Sequence, residues 1–189
     1  GPISGPNGGG GGSHYDPLQH AEDGDLNTGG GGGSHRANLG TSGAGGSGIA
    51  ILRLPTAEYS GVITGNPTVT ASGSDTIIKF TGSGAYTHGT GLFDETADFT
   101  IVGGGGGGGD GHGGGGGAGG FRTSTGTSGG NSSAESAIGL LAGTYTITVG
   151  GGGARERTGS NSTIAGPACG IIAYGGGRGA SGTVGDASR

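Results

Sequence analysis

The chain has 189 residues, of which 58 are Gly, about 31% against a usual share of roughly 7%. Its 29 Val, Ile, Leu and Phe residues make about 15%, short of the roughly 20% of an ordinary globular domain. At the same time, 11% charged residues and a net charge of −5 are too little charge for an ordinary disordered chain. Six prolines without a Gly-X-Y phase exclude collagen, and one lysine with seven scattered arginines excludes a nucleic-acid surface. The longest apolar run, Ile49-Ala50-Ile51-Leu52, is far below the roughly 20 residues of a membrane span, so no membrane insertion is expected.

The chain opens on Gly1-Pro2 with no initiator Met, and the expectation is a processed, excised or repeated segment of something longer. Two five-glycine runs follow, one bounded by Gly8 and Gly12 and the other by Gly29 and Gly33. Each ends in Ser-His, Ser13-His14 and Ser34-His35, at a 21-residue offset, which favours a repeated unit. Interior Gly costs a helix about 1 kcal/mol relative to Ala, so near-zero helix content is expected.

Short strands are predicted at 49–54, 68–70, 76–81, 99–102, 144–149 and 171–174, where β-branched and aromatic residues are bounded by Gly, Pro, Asn and Asp. The 144–149 run alternates, placing Tyr145, Ile147 and Val149 on one face and three threonines on the other. Cys169 has no intrachain partner and is expected to serve as a small buried hydrophobe.

The glycine runs abut these strands. The 99–102 strand passes into the run from Gly103 through Gly106 to Gly109. A second tract from Gly113 to Gly117 lies beyond Asp110-Gly111-His112. The 144–149 strand leads into Gly150 and on to Gly153, and Tyr174 leads into Gly175 and on to Gly177. A lone glycine run is a floppy linker. Several together permit another state, in which extended three-per-turn helices lie side by side and pair their backbones, as only residues without Cβ allow. At about 3.1 Å per residue a seven-glycine run spans about 22 Å. The ordered bundle is the expectation and the linker its alternative.

Catalysis is not expected. Gly126-Thr127-Ser128-Gly129-Gly130 matches G-x-S-x-G, but such patterns arise freely at this glycine content, and the strand-to-helix context is missing. The many G-x-G-x-x-G matches lack a βαβ setting, and no cofactor is expected. Asp16, Glu22, Asp23 and Asp25 gather oxygen ligands in one loop without EF-hand spacing, which leaves them weak metal candidates beside the commoner meaning of a solvated acidic loop. His14, His20, His35 and His112 are alternative ligands, though in hydroxyl-rich loops His more often caps or sits on the surface. The sequons Asn131-Ser132-Ser133 and Asn161-Ser162-Thr163 are read as turn chemistry.

Side chains able to meet a partner lie in the insertions 13–27, 87–96, 123–136 and 154–162. Tyr15, Tyr86 and Phe93 suit stacking on a sugar, and His20, Arg155 and Arg157 complete the candidate recognition set.

The order of segments resembles a family. Phe80-Thr81-Gly82-Ser83-Gly84, Asp98-Phe99-Thr100-Ile101-Val102-Gly103, Gly119-Gly120-Phe121-Arg122-Thr123, Gly143-Thr144-Tyr145-Thr146-Ile147-Thr148-Val149-Gly150 and Ile171-Ile172-Ala173-Tyr174-Gly175 resemble the glycine-rich domains of phage and marine-virus tail-fibre proteins. The likeness covers about residues 67–189, and the 45–53 segment is similar to that domain's closing strand. It implies bundled polyglycine-II helices.

Because the closing strand comes first, the chain reads as permuted. Residues 1–54 form the back half of one module, 55–67 a connector and 68–189 the front half of another. In a head-to-tail fibre, residues 1–54 would complete the preceding unit. An arbitrary boundary is the alternative. The expected architecture is all-β, a small short-stranded sandwich fused to a polyglycine-II bundle with no α-helix. The expected role is a structural, self-associating repeat of a virion tail fibre or other extracellular fibre. The alternatives are a distal adhesin that meets a host cell-surface receptor or glycan, and a cell-made extracellular filament.

Overall fold

The structure, a computed structural model, describes residues 20–35, 41–89, 95–167 and 169–182. The scarce apolar residues are not spread along the chain. They recur at every second position of a few short strands, so each strand buries one face and the side chains of two sheets meet in a single core.

The strands are β1 Ile49–Pro55, β2 Ile63–Thr64, β3 Thr68–Ser72, β4 Asp75–Phe80, β5 Gly84–His88, β6 Thr96–Val102 and β7 Phe121–Thr123, followed by β8 Thr127–Ser128, β9 Ser132–Ser133, β10 Ile138–Gly139, β11 Gly143–Thr148, β12 Ser162–Gly166 and β13 Cys169–Ala173. Two single turns of 3-10 helix, Thr56–Glu58 and Gly129–Asn131, are the only helical elements among the described residues.

One sheet runs β10-β6-β1-β4-β3, with β7 also on β6, and the other runs β13-β12-β11-β5-β2. All their strand pairs are antiparallel. From the first sheet Leu52, Leu54, Ile78, Phe80, Phe99 and Ile101 point into the core; from the second, Tyr86, Tyr145, Ile147, Ile164 and Ile171 meet them. A separate ribbon, β8 with β9, stands outside both sheets.

All six predicted strands are present, within three residues at their ends. In β11 the alternation holds, with Tyr145 and Ile147 buried and Thr144, Thr146 and Thr148 exposed. The sequence reading passes over β5 and β12. Ser162, expected at a turn, is fully buried at the start of β12, because pairing with β11 on one side and β13 on the other imposes an extended chain. Cys169 is half-buried against the core, and burial pushes its thiol above the ordinary value.

The described parts of 20–54 and 68–182 assemble within one chain. β1 lies between β4 and β6, with Leu52 opposite Ile78 on one side and Phe99 on the other. The 55–67 stretch carries the Thr56–Glu58 turn and β2 between these parts.

Candidate functional site

At one end of the sandwich the strands give way to glycine. β6 continues into residues 103–109, β11 into 150–153 and β13 into 174–180. β1 is entered from 43–48, β7 from 114–120 and β12 from 157–160. Stacked sheets normally stand about 10 Å apart because their side chains fill the gap. Once the side chains disappear the gap closes, and amides that begin in different sheets bond directly. Gly104 N–H donates to Ser160 O at 2.9 Å, and Gly153 N–H donates to Gly105 O at 2.8 Å.

The 103–109 segment is the centre. All seven of its amides donate outward, and the receiving segment changes with a period of three. Gly103, Gly106 and Gly109 donate to Gly120, Gly117 and Gly114. Gly104 and Gly107 donate to Ser160 and Arg157, and Gly105 and Gly108 to Gly46 and Gly43. In return, Gly176 and Gly179 donate to Gly104 and Gly107, Gly153 and Glu156 to Gly105 and Gly108, and Gly32 to Gly106. Six segments therefore surround one. The three that receive its amides run antiparallel to it, and the three that donate to it run parallel.

The ring of six is itself closed by hydrogen bonds. In order, Gly117 N–H donates to Gly177 O, Gly159 to Gly176, Ser160 to Gly151, Gly48 to Gly150, Gly46 to Gly30 and Gly119 to Gly29, at 2.8–2.9 Å. The order follows the sheets, with 114–120, 103–109 and 43–48 continuing the β7-β6-β1 row and 174–180, 157–160 and 150–153 continuing β13-β12-β11. Among the described residues only 29–33 enters the ring without an adjoining strand.

Glycine is required here by closeness. None of the glycines from Gly103 to Gly109 lies in the left-handed region, so an L side chain tolerates their backbone angles. A Cβ at any of the seven would instead come closer than 3.0 Å to a neighbouring carbonyl oxygen. Gly151 and Gly177 face open space.

Asp110 and Gly111, the latter at φ +67°, reverse the chain between the central segment and its neighbour. Asp110 is held there by Arg155 at 2.6 Å and by Ser42 Oγ, 2.7 Å from Asp110 Oδ1 and 2.6 Å from Gly109 O. Arg155 therefore closes the bundle as well as facing solvent, while Arg157 and Ser160, expected in a free loop, lend backbone groups to the ring.

The other residues expected in glycine runs, metal binding or recognition divide. Gly8, Gly12, His14, Tyr15, Asp16 and Phe93 lie outside the described residues. His20 is exposed, with Nδ1 2.6 Å from Thr41 Oγ1. Tyr86, expected on a recognition loop, is wholly buried in β5, because strand alternation turns it inward to stack on Tyr59 and Tyr145. Among the described residues the large exposed aromatic side chains are instead Phe121 and Tyr174. They flank Arg122, whose Nε donates to Glu135 Oε1 at 2.7 Å and whose Nη1 donates to Ile172 O at 3.1 Å, tying the β7 edge to the β13 edge. Ser128 of the G-x-S-x-G match is buried and donates to Phe121 O.

Of the acidic loop, Asp23 Oδ1 accepts from Ala44 N–H at 2.7 Å, while Asp25 is exposed. Among the described residues Glu22, Asp23 and Asp25 join no cluster of three ligating side chains. One such cluster exists elsewhere, formed by Glu58, His88 and Glu95. No sequence signal pointed to it. A hydrogen bond with Glu58, then burial, then the Glu58 charge hold Glu95 above its ordinary carboxylate value.

A family model described as a glycine-rich domain matches residues 79–189. No curated protein and no solved structure matches the chain.

Proposed function

The chain belongs to the glycine-rich domain family, and from that premise we propose that it is a rigid structural module of an extracellular or virion fibre of the tail-fibre kind, built on a polyglycine-II bundle. The observation that carries this reading is the 103–109 segment, with its three-residue hydrogen-bond period and six backbone neighbours. Three residues per turn with every N–H and C=O directed outward is the geometry of a polyproline-II-type helix, and lateral pairing supplies the partners that such a helix lacks alone.

The energies favour a scaffold over a linker. Ordering a residue's backbone costs about 1–2 kcal/mol, and each amide pair returns about 0.5–1.5 kcal/mol, so isolated glycine helices gain nothing. Six of the seven segments here are direct continuations of core-anchored strands, which removes part of that ordering cost. The result is a shaft element without side-chain chemistry, from which loops such as 123–136 project.

In this reading, units join head to tail by exchange. The 20–54 part, which supplies β1 and two ring segments within the chain, makes the same contacts in a neighbour. Negative-stain imaging and light scattering of the purified chain test it. Long fibres of uniform width are expected, and discrete monomers at high concentration overturn the fibre role. A wild-type melting temperature for Gly106→Val overturns the bundle.

A second reading, a receptor-binding adhesin, is favoured by the exposed Phe121, Ile172 and Tyr174 around Arg122, with Tyr174 68% exposed. Flat aromatic faces beside a guanidinium suit a glycan. Tyr174→Ala then lowers attachment to host cells at unchanged melting temperature; unchanged attachment removes this reading.

A further inference from the structure

At the end of the sandwich opposite the bundle, three side chains from three different elements converge. Glu58 closes the 3-10 turn after β1, His88 ends β5, and Glu95 immediately precedes β6. One ligating atom from each lies within 4.8 Å of the others. We propose that Glu58, His88 and Glu95 bind one divalent transition-metal ion of the zinc class.

The histidine carries the argument. His88 is only 4% exposed, and its Nε2 is buried with no hydrogen-bond partner. Its other nitrogen, Nδ1, lies 3.1 Å from Tyr86 Oη. The single phenolic proton of Tyr86 goes to the Glu58 backbone carbonyl, 3.0 Å away, which can only accept. Tyr86 Oη therefore accepts from His88 Nδ1–H, and Nε2 keeps its lone pair. Fixing one imidazole nitrogen as a donor so that the other presents a lone pair is the outer-shell arrangement typical of metal-binding histidines.

The carboxylates complete the set. Glu95 Oε2 is buried and unpartnered, and no ion pair of the described residues involves Glu58 or Glu95. Two carboxyls facing each other beside a buried lone pair hold at most one shared proton between them, and a cation that displaces it satisfies all three groups. A nitrogen with two carboxylate oxygens suits zinc and its neighbours, whereas magnesium and calcium prefer oxygen alone. Ligand distances of about 2.0–2.2 Å set tetrahedral edges of about 3.4 Å, within reach of small rotations of the two glutamates. Three protein donors leave a fourth position for water or an incoming group.

The test is a Zn²⁺ titration of the full chain, followed by calorimetry and thermal melting, with Mg²⁺ as comparison. One equivalent of Zn²⁺ is expected to bind and, at a hundredfold excess over Kd, to raise the melting temperature by about 5 °C or more, with no such response to Mg²⁺. Glu58→Gln and Glu95→Gln, which keep side-chain size and hydrogen bonding, should each weaken binding at least tenfold while the ion-free melting temperature stays close to that of the parent. Nitrogen-detected spectra should show the His88 Nε2 resonance moving on saturation. Absence of binding at 1 mM Zn²⁺ overturns the site. So does a binding curve unchanged in both variants, which would place the ion on other histidines such as His20 or His112.

Discussion

Ser162 Oγ donates to the carbonyl of Val102 at 2.7 Å and, in turn, accepts from Gly150 N–H at 2.9 Å. This one hydroxyl joins the end of β6, the start of β12 and the exit of β11 at the level where the two sheets close into the bundle. It is fully buried, and Gly48 has no room for a Cβ because Ser162 Oγ and Val102 O occupy the space. Ser162→Ala takes away the hydroxyl partner of the buried Gly150 N–H and one bond to Val102 O, at about 1–3 kcal/mol. A fall in melting temperature of about 3–10 °C is expected by calorimetry. An unchanged melting temperature would show that water replaces the hydroxyl.

Glycine substitutions separate closeness from conformational freedom. Gly106→Ala places a methyl against Gly177 O and should cost more than 3 kcal/mol, whereas Gly151→Ala, facing open space, should change stability by less than about 1 kcal/mol and in the stabilising direction. Urea unfolding midpoints of the two variants give the comparison. Equal effects would contradict interior packing as the reason for glycine.

The Arg122 and Glu135 pair carries a pH signature. The hydrogen bond and charge of Arg122 hold the Glu135 carboxyl below its ordinary value near 4.5. The pairing therefore stabilises the fold above that value, and the contribution is lost as pH falls through the lowered one. Unfolding midpoints between pH 3 and 7 should decline at the acid end, and the decline should be shallower in Glu135→Gln. Because both side chains are about a third exposed, the effect is small and weakens with salt.

Tyr145 ties the second sheet to the chain that leads into it. Its hydroxyl accepts from Leu141 N–H at 2.8 Å and lies 3.1 Å from Leu141 O. Tyr145→Phe keeps the ring in the core and removes both contacts, for an expected loss of about 1–2 kcal/mol. Thermal melting against the parent chain measures it, and a loss below 0.5 kcal/mol would mean that the turn at 139–142 holds its own shape.

The sandwich was legible where side chains alternate. Tyr145 and Ile147 announced a half-buried strand, and the 49–54 run announced the strand that became the centre of the first sheet. β5 and β12 were hidden because Gly-Ala-Tyr-Thr-His and Ser-Thr-Ile-Ala-Gly are locally indistinct; their extended state comes from neighbours on both sides. That the glycine runs would be ordered could be argued from their placement beside strands. Which run neighbours which could not, since glycine carries no pattern to set register, and the ring order is inherited from sheet topology. The Glu58, His88 and Glu95 cluster had no local trace, because its members lie 30 and 7 residues apart in sequence and meet only through strand pairing.

The direction of the backbone bonds has a mechanical consequence. In the ring of segments around Gly106, the bonds between segments lie across the axis along which the strands enter and leave. Tension applied along that axis loads these bonds in shear and together, so no single pair opens ahead of the rest. Tension applied across it would peel them one at a time. The module is therefore anisotropic, strong lengthwise and weak sideways, and it reaches that property with neither a disulfide nor a large core.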